Sequence, residues 1–320
     1  MGVNIDKPER WKADIARSVD LYNDWFMKFA PRAYRESRVR TAREVESTLK
    51  ATDNLRNVQP EILRENPAVL PTLRMATCPP LARDRLSGLS GVPRALVNRL
   101  DKEHKLPAHM AASALKGELK KMGVVIEKLA DHDLCVWLKR RTEPTAAELE
   151  RAATVIADRL CGATADPLIR NAQEERQLKL IGNWLNARGY KAITAGSGIK
   201  FDAMPAGSYA FRFNVPALAT NESERRVNIP VDVAIKSKNT SGRLPICVEA
   251  KSAGDFTNVN KRRKEEAQKM SQLRRTYGNK IKYILFLCGY FDSGYLGYEA
   301  SEGIDWVWEH RIDDLAKFEL

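Results

Sequence analysis

Residues 228–252, NIPVDVAIKSKNTSGRLPICVEAKS, hold two strand-like runs around a polar segment, and their reading decides how the rest of the chain is understood. In the first run Val231, Val233 and Ile235 alternate with Asp232 and Ala234. Successive side chains of a strand point to opposite faces, so the pattern predicts β-branched residues on a core face and Asp232 turned away from it. Residues 236–243 are polar, and Asn239, Ser241 and Gly242 predict a turn. The second run, ICVEAK, sets Ile246, Val248 and Ala250 on one face and Cys247, Glu249 and Lys251 on the other. Paired as a hairpin, the two runs bring two carboxylates and an ammonium to one strand edge. Carboxylates held that close repel each other unless a divalent cation lies between them.

Such a trio suits metal-dependent phosphodiester hydrolysis. Asp232 and Glu249 are expected to hold one or two Mg2+ ions against the scissile phosphate, with the Ala250 carbonyl as a further oxygen ligand. Lys251 is expected to touch the attacking water, lower its pKa and stabilise the charge of the pentavalent transition state. The motif is short, and in a chain with 29% charged residues many such triplets are solvated strand faces; the two credible strands give this one its context. Glu174 and Glu175 are candidates for a further carboxylate. Glu174 lies four residues before Leu178 on an apolar stripe and is expected to be buried, Glu175 suits the surface, and both stay open. Downstream, residues 256–282 carry nine Lys or Arg against two acids, including the run Lys261, Arg262, Arg263, Lys264. That stripe reads either as a track for a phosphate backbone or as a solvated helix face.

Outward from these runs the chain is β-rich. Strands are predicted at 190–194, 208–215, 281–290 and 304–310, with a helix around 261–277 and another over 166–188 that ends at Gly189. The run IKYILFLCGYF predicts a central strand buried on both faces. The expected architecture is therefore α/β, a mixed sheet with helices packed on it.

Before residue 165 the pattern is helical. Trp11, Ile15, Val19, Tyr22, Phe26 and Phe29 recur every three or four residues until Pro31, where a break is expected before helix resumes. Within 81–102, LARDRLSGLSGVPRALVNRLDK, a small Ser87, Gly91 four places on and apolar Val92, Leu96, Val97 and Leu100 predict two helices meeting at a tight turn, a helix-turn-helix. On that reading Arg94, Ala95, Asn98 and Arg99 face outward, where they reach bases or phosphates; many helical hairpins fit the same spacing without touching nucleic acid. Stripes at Leu115, Leu119, Met122, Val125, Ile126 and Leu129, and at Leu149, Ala153, Ile156 and Leu160, predict core.

The chain has 320 residues, 43% hydrophobic, and a net charge of +12, which suits a globular protein with a polyanionic partner. The excess is shared, +7 through residue 165 and +5 beyond it, so it is not a basic tail. Five cysteines without a CxxC pair argue against a disulfide framework or zinc site and for a reducing compartment. The four histidines lack a metal-site spacing. With no signal-like N-terminus and no apolar run long enough to span a bilayer, the expectation is a cytoplasmic protein without a membrane partner.

The core Val231-Asp232 and Glu249-Ala250-Lys251 resembles the PD-(D/E)XK nuclease superfamily, with Val231 standing where that motif often has proline and Pro230 one place early. Two longer segments, IDKPERWKADIARSVDLYNDWFMKFAPRAYRESR (5–38) and MATCPPLARDRLSGLSGVPRALVNRLDK (75–102), look like the XamI family of type II restriction endonucleases, and that likeness runs nearly end to end. The resemblance implies a PD-(D/E)XK core with helices on both faces of its sheet. It also implies a Mg2+-dependent enzyme that cuts both strands of duplex DNA at a short palindromic site, as a homodimer. It assigns Asp232 and Glu249 as metal ligands and Lys251 as the catalytic lysine. The expected organisation is a helical DNA-binding or dimerisation region over 1–165 and a catalytic domain over 166–320. The rivals are another nuclease of that superfamily, acting in DNA repair or on RNA, and a non-catalytic helix-turn-helix regulator.

Overall fold

A computed structural model describes residues 2–194, 198–219, 225–238, 243–257 and 263–320. The expected turn residues Asn239, Ser241 and Gly242 and the basic residues Lys261 and Arg262 lie outside the described residues. Contacts divide the chain into two compact units: Ala30–Ile169, and the first 29 residues together with Arg170–Leu320.

Helices α1 (Pro8–Ala51) and α7 (Ala146–Ala187) each contribute to both units. Both run through an internal proline: Pro31, where the sequence predicts a break, and Pro167, beside which the sequence predicts a helix start at residue 166. Each proline removes one backbone donor, yet both helices continue through it. In α7 Ala152, Ile156 and Leu160 before Pro167 and Leu178, Ile181 and Leu185 after it are buried, in two different cores.

The unit of Ala30–Ile169 is helical and adds α2 (Pro60–Glu65), α3 (Leu70–Met75), α4 (Arg83–Ser90), α5 (Arg94–Asn98) and α6 (Ala112–Lys128). In α6 Leu115, Leu119, Met122 and Ile126 are buried, as their spacing predicts. Helices α4 and α5 are joined at Gly91, whose φ of 65° is the left-handed conformation that glycine adopts freely. A π-helical turn, Arg99–Glu103, follows α5 directly. Behind this hairpin the buried Arg74 donates from Nε to Asp101 Oδ1 at 2.6 Å, and Arg83 pairs with the other oxygen of Asp101 at 3.1 Å. A buried guanidinium without that partner would destabilise the unit strongly.

The other unit is built on a six-stranded mixed sheet in sequence order: β1 (Lys191–Ala192), β2 (Ser208–Leu218), β3 (Arg226–Lys236), β4 (Ile246–Ala253), β5 (Tyr283–Gly289) and β6 (Asp305–Trp308). Strands β2, β3 and β4 pair antiparallel, whereas β1 with β2, β4 with β5 and β5 with β6 are parallel. Two crossover helices, α8 (Arg263–Tyr277) and α9 (Ser293–Ser301), make the last two parallel pairings possible. Every residue of β5 is buried. Its Leu285 and Leu287 pack with Met270 and Leu273 of α8 on one face, and Ile284 and Phe286 pack with Leu178 and Ile181 of α7 on the other.

The start of the chain is fastened to the last strand. The Asp305 carboxylate accepts from the backbone amides of Val3 at 2.6 Å, Asn4 at 3.0 Å and Ile5 at 3.1 Å, and the Asn4 side chain donates to the Trp306 carbonyl at 2.8 Å. Trp11 of α1 meets Trp306 edge-on, centroids 5.4 Å apart. The five cysteines are free, all but Cys78 buried. Among the described residues no helix is long and apolar enough to cross a membrane.

Candidate active site

Strands β3 and β4 pair only from Val233 with Val248 to Ile235 with Ile246, and then diverge at Asp232 and Glu249. Divergence leaves the Ala250 amide without a strand partner, and Asp232 supplies one: its Oδ2 accepts from Ala250 N at 2.8 Å. The alternation expected for β3 does not survive this point. Val231 packs in the core under α8, whereas Val233 and Ile235 pack in the core under α7, so the three do not share a face. Across the ladder, between Phe211 and Phe213, Arg212 has a φ of 51°. A left-handed residue rotates the strand there, and Tyr209 and Phe213 of β2 fall in different cores just as their β3 partners do. Asp232 sits at the switch itself.

On β4 the expected alternation holds. Ile246 and Val248 face the α7 core, while Cys247 faces α8 and Glu249 and Lys251 meet side chains of that helix. Glu249 is buried, and its Oε1 receives Lys269 Nζ at 2.7 Å and Lys251 Nζ at 3.2 Å. Lys251 Nζ also lies 3.0 Å from Glu266 Oε1. The buried face of α8 explains this: Glu266, Met270 and Leu273 recur at helical spacing, and Lys269 stands beside them. The result is a chain of alternating charge, Lys269–Glu249–Lys251–Glu266, from two residues of a strand and two of a helix. Behind it the fully buried Glu299 of α9 has its pKa raised to about 8 by burial and by the negative charges of Glu266 and Glu302.

Burial, and next the charge of Glu249, push the Asp232 carboxyl up to about 6, against the pull of the Ala250 amide and Lys251. Burial works against the Lys251 cation, but Glu249 and Glu266 outweigh it and raise its pKa, so the ammonium stays charged. The negative charge of Glu174 also bears on Asp232. Glu174 is half-exposed rather than buried as expected, because it pairs with Arg212 at 3.4 Å instead of entering the core. Glu175 is exposed on α7. Gln177, buried on the same helix, donates to the carbonyls of Lys251 at 3.4 Å and Phe286 at 3.3 Å and so fixes α7 against the site strands.

Sequence reading missed Glu266, Lys269 and Gln177. A signal for Glu266 was present, since it lies four residues before Met270 on an apolar stripe, but it was counted only as an acid within a basic segment.

The basic candidates are differently placed. Arg263 opens α8, lies over the Tyr298 ring at 5.3 Å from its centroid and donates to the Gly294 carbonyl at 3.5 Å; Lys264 is exposed. In the helical unit Arg94 is exposed and pairs with Asp84 at 2.7 Å, while Asn98 and Arg99 are half-buried and Arg99 lies 3.9 Å from Glu103.

Among the described residues no three His, Cys, Asp or Glu side chains form a ready metal cage. An open site still suits a Mg2+ ion, which commonly binds through one or two carboxylates and completes its shell with water and phosphate oxygens. Glu249 Oε2 is buried and has no hydrogen-bond partner among the described residues, an orphaned acceptor facing this need. The residues therefore fit a hard divalent cation held by Asp232 and Glu249.

A family model described as XamI restriction endonuclease matches residues 53–308, a span that contains Asp232, Glu249, Lys251 and all of α8. The chain belongs to the XamI restriction endonuclease family. The endonuclease is also 52% identical over 314 residues to the type II restriction enzyme SalI of Streptomyces albus G, covering 98% of each chain. Among solved structures, that of protein VC1899 from Vibrio cholerae aligns with 90% of the endonuclease and 55% of its own chain at 14% identity and a TM-score of 0.27, too slight a likeness to bear on the fold.

Proposed function

We propose that this type II restriction endonuclease hydrolyses both strands of duplex DNA at a short palindromic site, with Mg2+, from a PD-(D/E)XK core formed by β3, β4 and the elements around them. The observation that carries this reading is the convergence of Asp232, Glu249 and Lys251 where β3 and β4 diverge. Asp232 and Glu249 would hold the cation, with the Ala250 carbonyl as a third oxygen, and Glu174 is favoured over Glu175 as an auxiliary acid because its charge reaches Asp232. Bound there, Mg2+ would polarise the phosphoryl oxygen and acidify water. Asp232 would act as the ionised carboxylate, its charge offset by the cation. Lys251 keeps its charge and directs it at the attacking water and the phosphorane oxygens, where charge builds up in the transition state.

The net charge of +12 supports a polyanionic substrate. Arg94, Asn98 and Arg99 of the α4–α5 helix-turn-helix, and Arg263 and Lys264 with the neighbouring Lys261 and Arg262, are assigned to DNA contact. Residues 1–165 are taken as the DNA-binding and dimerisation region and 166–320 as the catalytic domain, to whose compact unit the first 29 residues also belong. A homodimer matches the two-fold of a palindromic site, and the enzyme works in the cytoplasm on DNA that enters it. The deciding experiment is digestion of a sequenced plasmid with Mg2+, with the ends of the fragments sequenced. Discrete fragments from the parent, and loss of cutting with retained gel shift in Asp232→Ala, are expected. A parent that cuts no DNA with Mg2+ or Mn2+ overturns the reading.

A further inference from the structure

Lys251 has a second carboxylate partner besides the Glu249 of its own strand. Glu266 reaches it from α8, with Oε1 3.0 Å from Nζ, and only 1% of Glu266 is exposed. A buried carboxylate is costly unless a cation pairs with it; neither Glu266 oxygen has a hydrogen-bond partner among the described residues, and the cation in ion-pair contact with it there is Lys251. The lysine stem has four rotatable bonds, so the backbone, paired with β5 at Lys251 but no longer with β3, does not by itself fix the ammonium. Glu249 alone fixes it poorly, because Glu249 is also the proposed cation ligand. A divalent ion on Oε2 would draw on the charge of the same carboxylate, so a lysine tied only to Glu249 Oε1 would be held more weakly when the reaction needs it in place. Glu266 meets the ammonium from α8, on a helix face anchored by Met270 and Leu273, and it is not a ligand candidate itself.

We infer that Glu266 is the positioning residue for Lys251, holding its ammonium against the scissile phosphate while Glu249 serves the metal; this rests on the reading of Lys251 as the catalytic lysine. It acts through Lys251 and touches no reacting atom. Glu266→Gln keeps the shape and removes the charge.

The test is single-turnover plasmid cleavage with Mg2+ by the parent, Glu266→Gln and Glu266→Asp, together with gel-shift affinity for the same DNA. Glu266→Gln is expected to cut on the order of a hundredfold more slowly, the size of a misplacement of about 1 Å in a catalytic group. DNA affinity should stay within about twofold, a split that general misfolding would not give. Glu266→Asp, which retains the charge, should recover part of the rate. A parallel thermal cycle reads the pair without activity: Lys251→Met should lower Tm by leaving Glu266 unpaired, and Lys251→Met with Glu266→Gln should regain much of it. That cycle also serves if Glu266→Gln alone does not fold. Parental cleavage by a folded Glu266→Gln, or a double variant no more stable than Lys251→Met, overturns the inference while the nuclease reading stands; a parent that never cuts overturns the nuclease reading first.

Discussion

Replacing Asp232 with asparagine should abolish cleavage and, in the absence of metal, make the protein more stable. The Asp232 carboxyl is displaced from 3.8 to about 6, first by burial and then by Glu249. Between about pH 4 and pH 6 the folded state therefore holds a proton that the unfolded chain has released, and stability falls as pH rises through that window. Above it the ionised carboxylate costs the fold a constant amount, and a displacement from 3.8 to about 6 corresponds to about 3 kcal/mol. Asparagine has nearly the same shape, its carbonyl can accept from the Ala250 amide, and it carries no charge to repel Glu249. Asp232→Asn should thus exceed the parent by up to about 3 kcal/mol at pH 8 in chelator, with the gain gone by about pH 4. Added Mg2+ should narrow the difference, since it binds the folded parent and not the variant. Urea unfolding followed by tryptophan fluorescence at pH 8 and pH 4, with chelator and then with Mg2+, measures all of this. A variant less stable than the parent at pH 8 in chelator, or a gain of equal size at both pH values, would refute the reasoning.

Lys269 sits on Glu249 Oε1 at 2.7 Å, so its positive charge opposes a cation on the other oxygen of the same carboxylate. Lys269→Met should reach half-maximal cleavage at a several-fold lower Mg2+ concentration, and an unchanged or higher requirement in a Mg2+ titration contradicts that opposition. Glu299 is raised from 4.5 to about 8, chiefly by burial and then by Glu266 and Glu302, against the nearby cations Lys251 and Arg263. Its contribution is present below about pH 4.5 and is lost as pH rises towards 8, a change of at most on the order of 5 kcal/mol. The parent's Tm should therefore decline between pH 5 and 8 more steeply than that of Glu299→Gln, and parallel Tm curves would count against it.

Much of the fold could be read from the chain because its signals are local. The unbroken apolar run of β5 could only be a strand covered on both faces, and the alternation of ICVEAK gave Glu249 and Lys251 their common side correctly. The alternation around Asp232 misled, because the rotation of the strand depends on Arg212 in a left-handed conformation, and nothing in an arginine announces a positive φ. Pro31, read as a break, and Pro167, read beside a helix start, misled in the other direction, since a proline's local penalty does not by itself end a helix. Glu266 was hidden by arithmetic: charge counting assigned residues 256–282 to the surface as a block, whereas its interval to Met270 and Leu273 put it inside. The tie of Asp305 to residues 3–5 joins positions some 300 apart, beyond any reading of neighbours.

That tie bears on how the enzyme is made. Val3, Asn4 and Ile5 are translated some 300 residues before the carboxylate that receives their amides, and Trp11 waits almost as long for Trp306. Helices α2 to α6 precede the sheet strands in the chain, and the sheet that carries Asp232, Glu249 and Lys251 lacks β6 until well after those residues are made. A chain cut off between Lys251 and Asp305 contains the acids and the lysine without the finished sheet that holds them. The chemical groups of the site and the strand that completes their sheet are separate stretches of the chain, and the first can be present without the second.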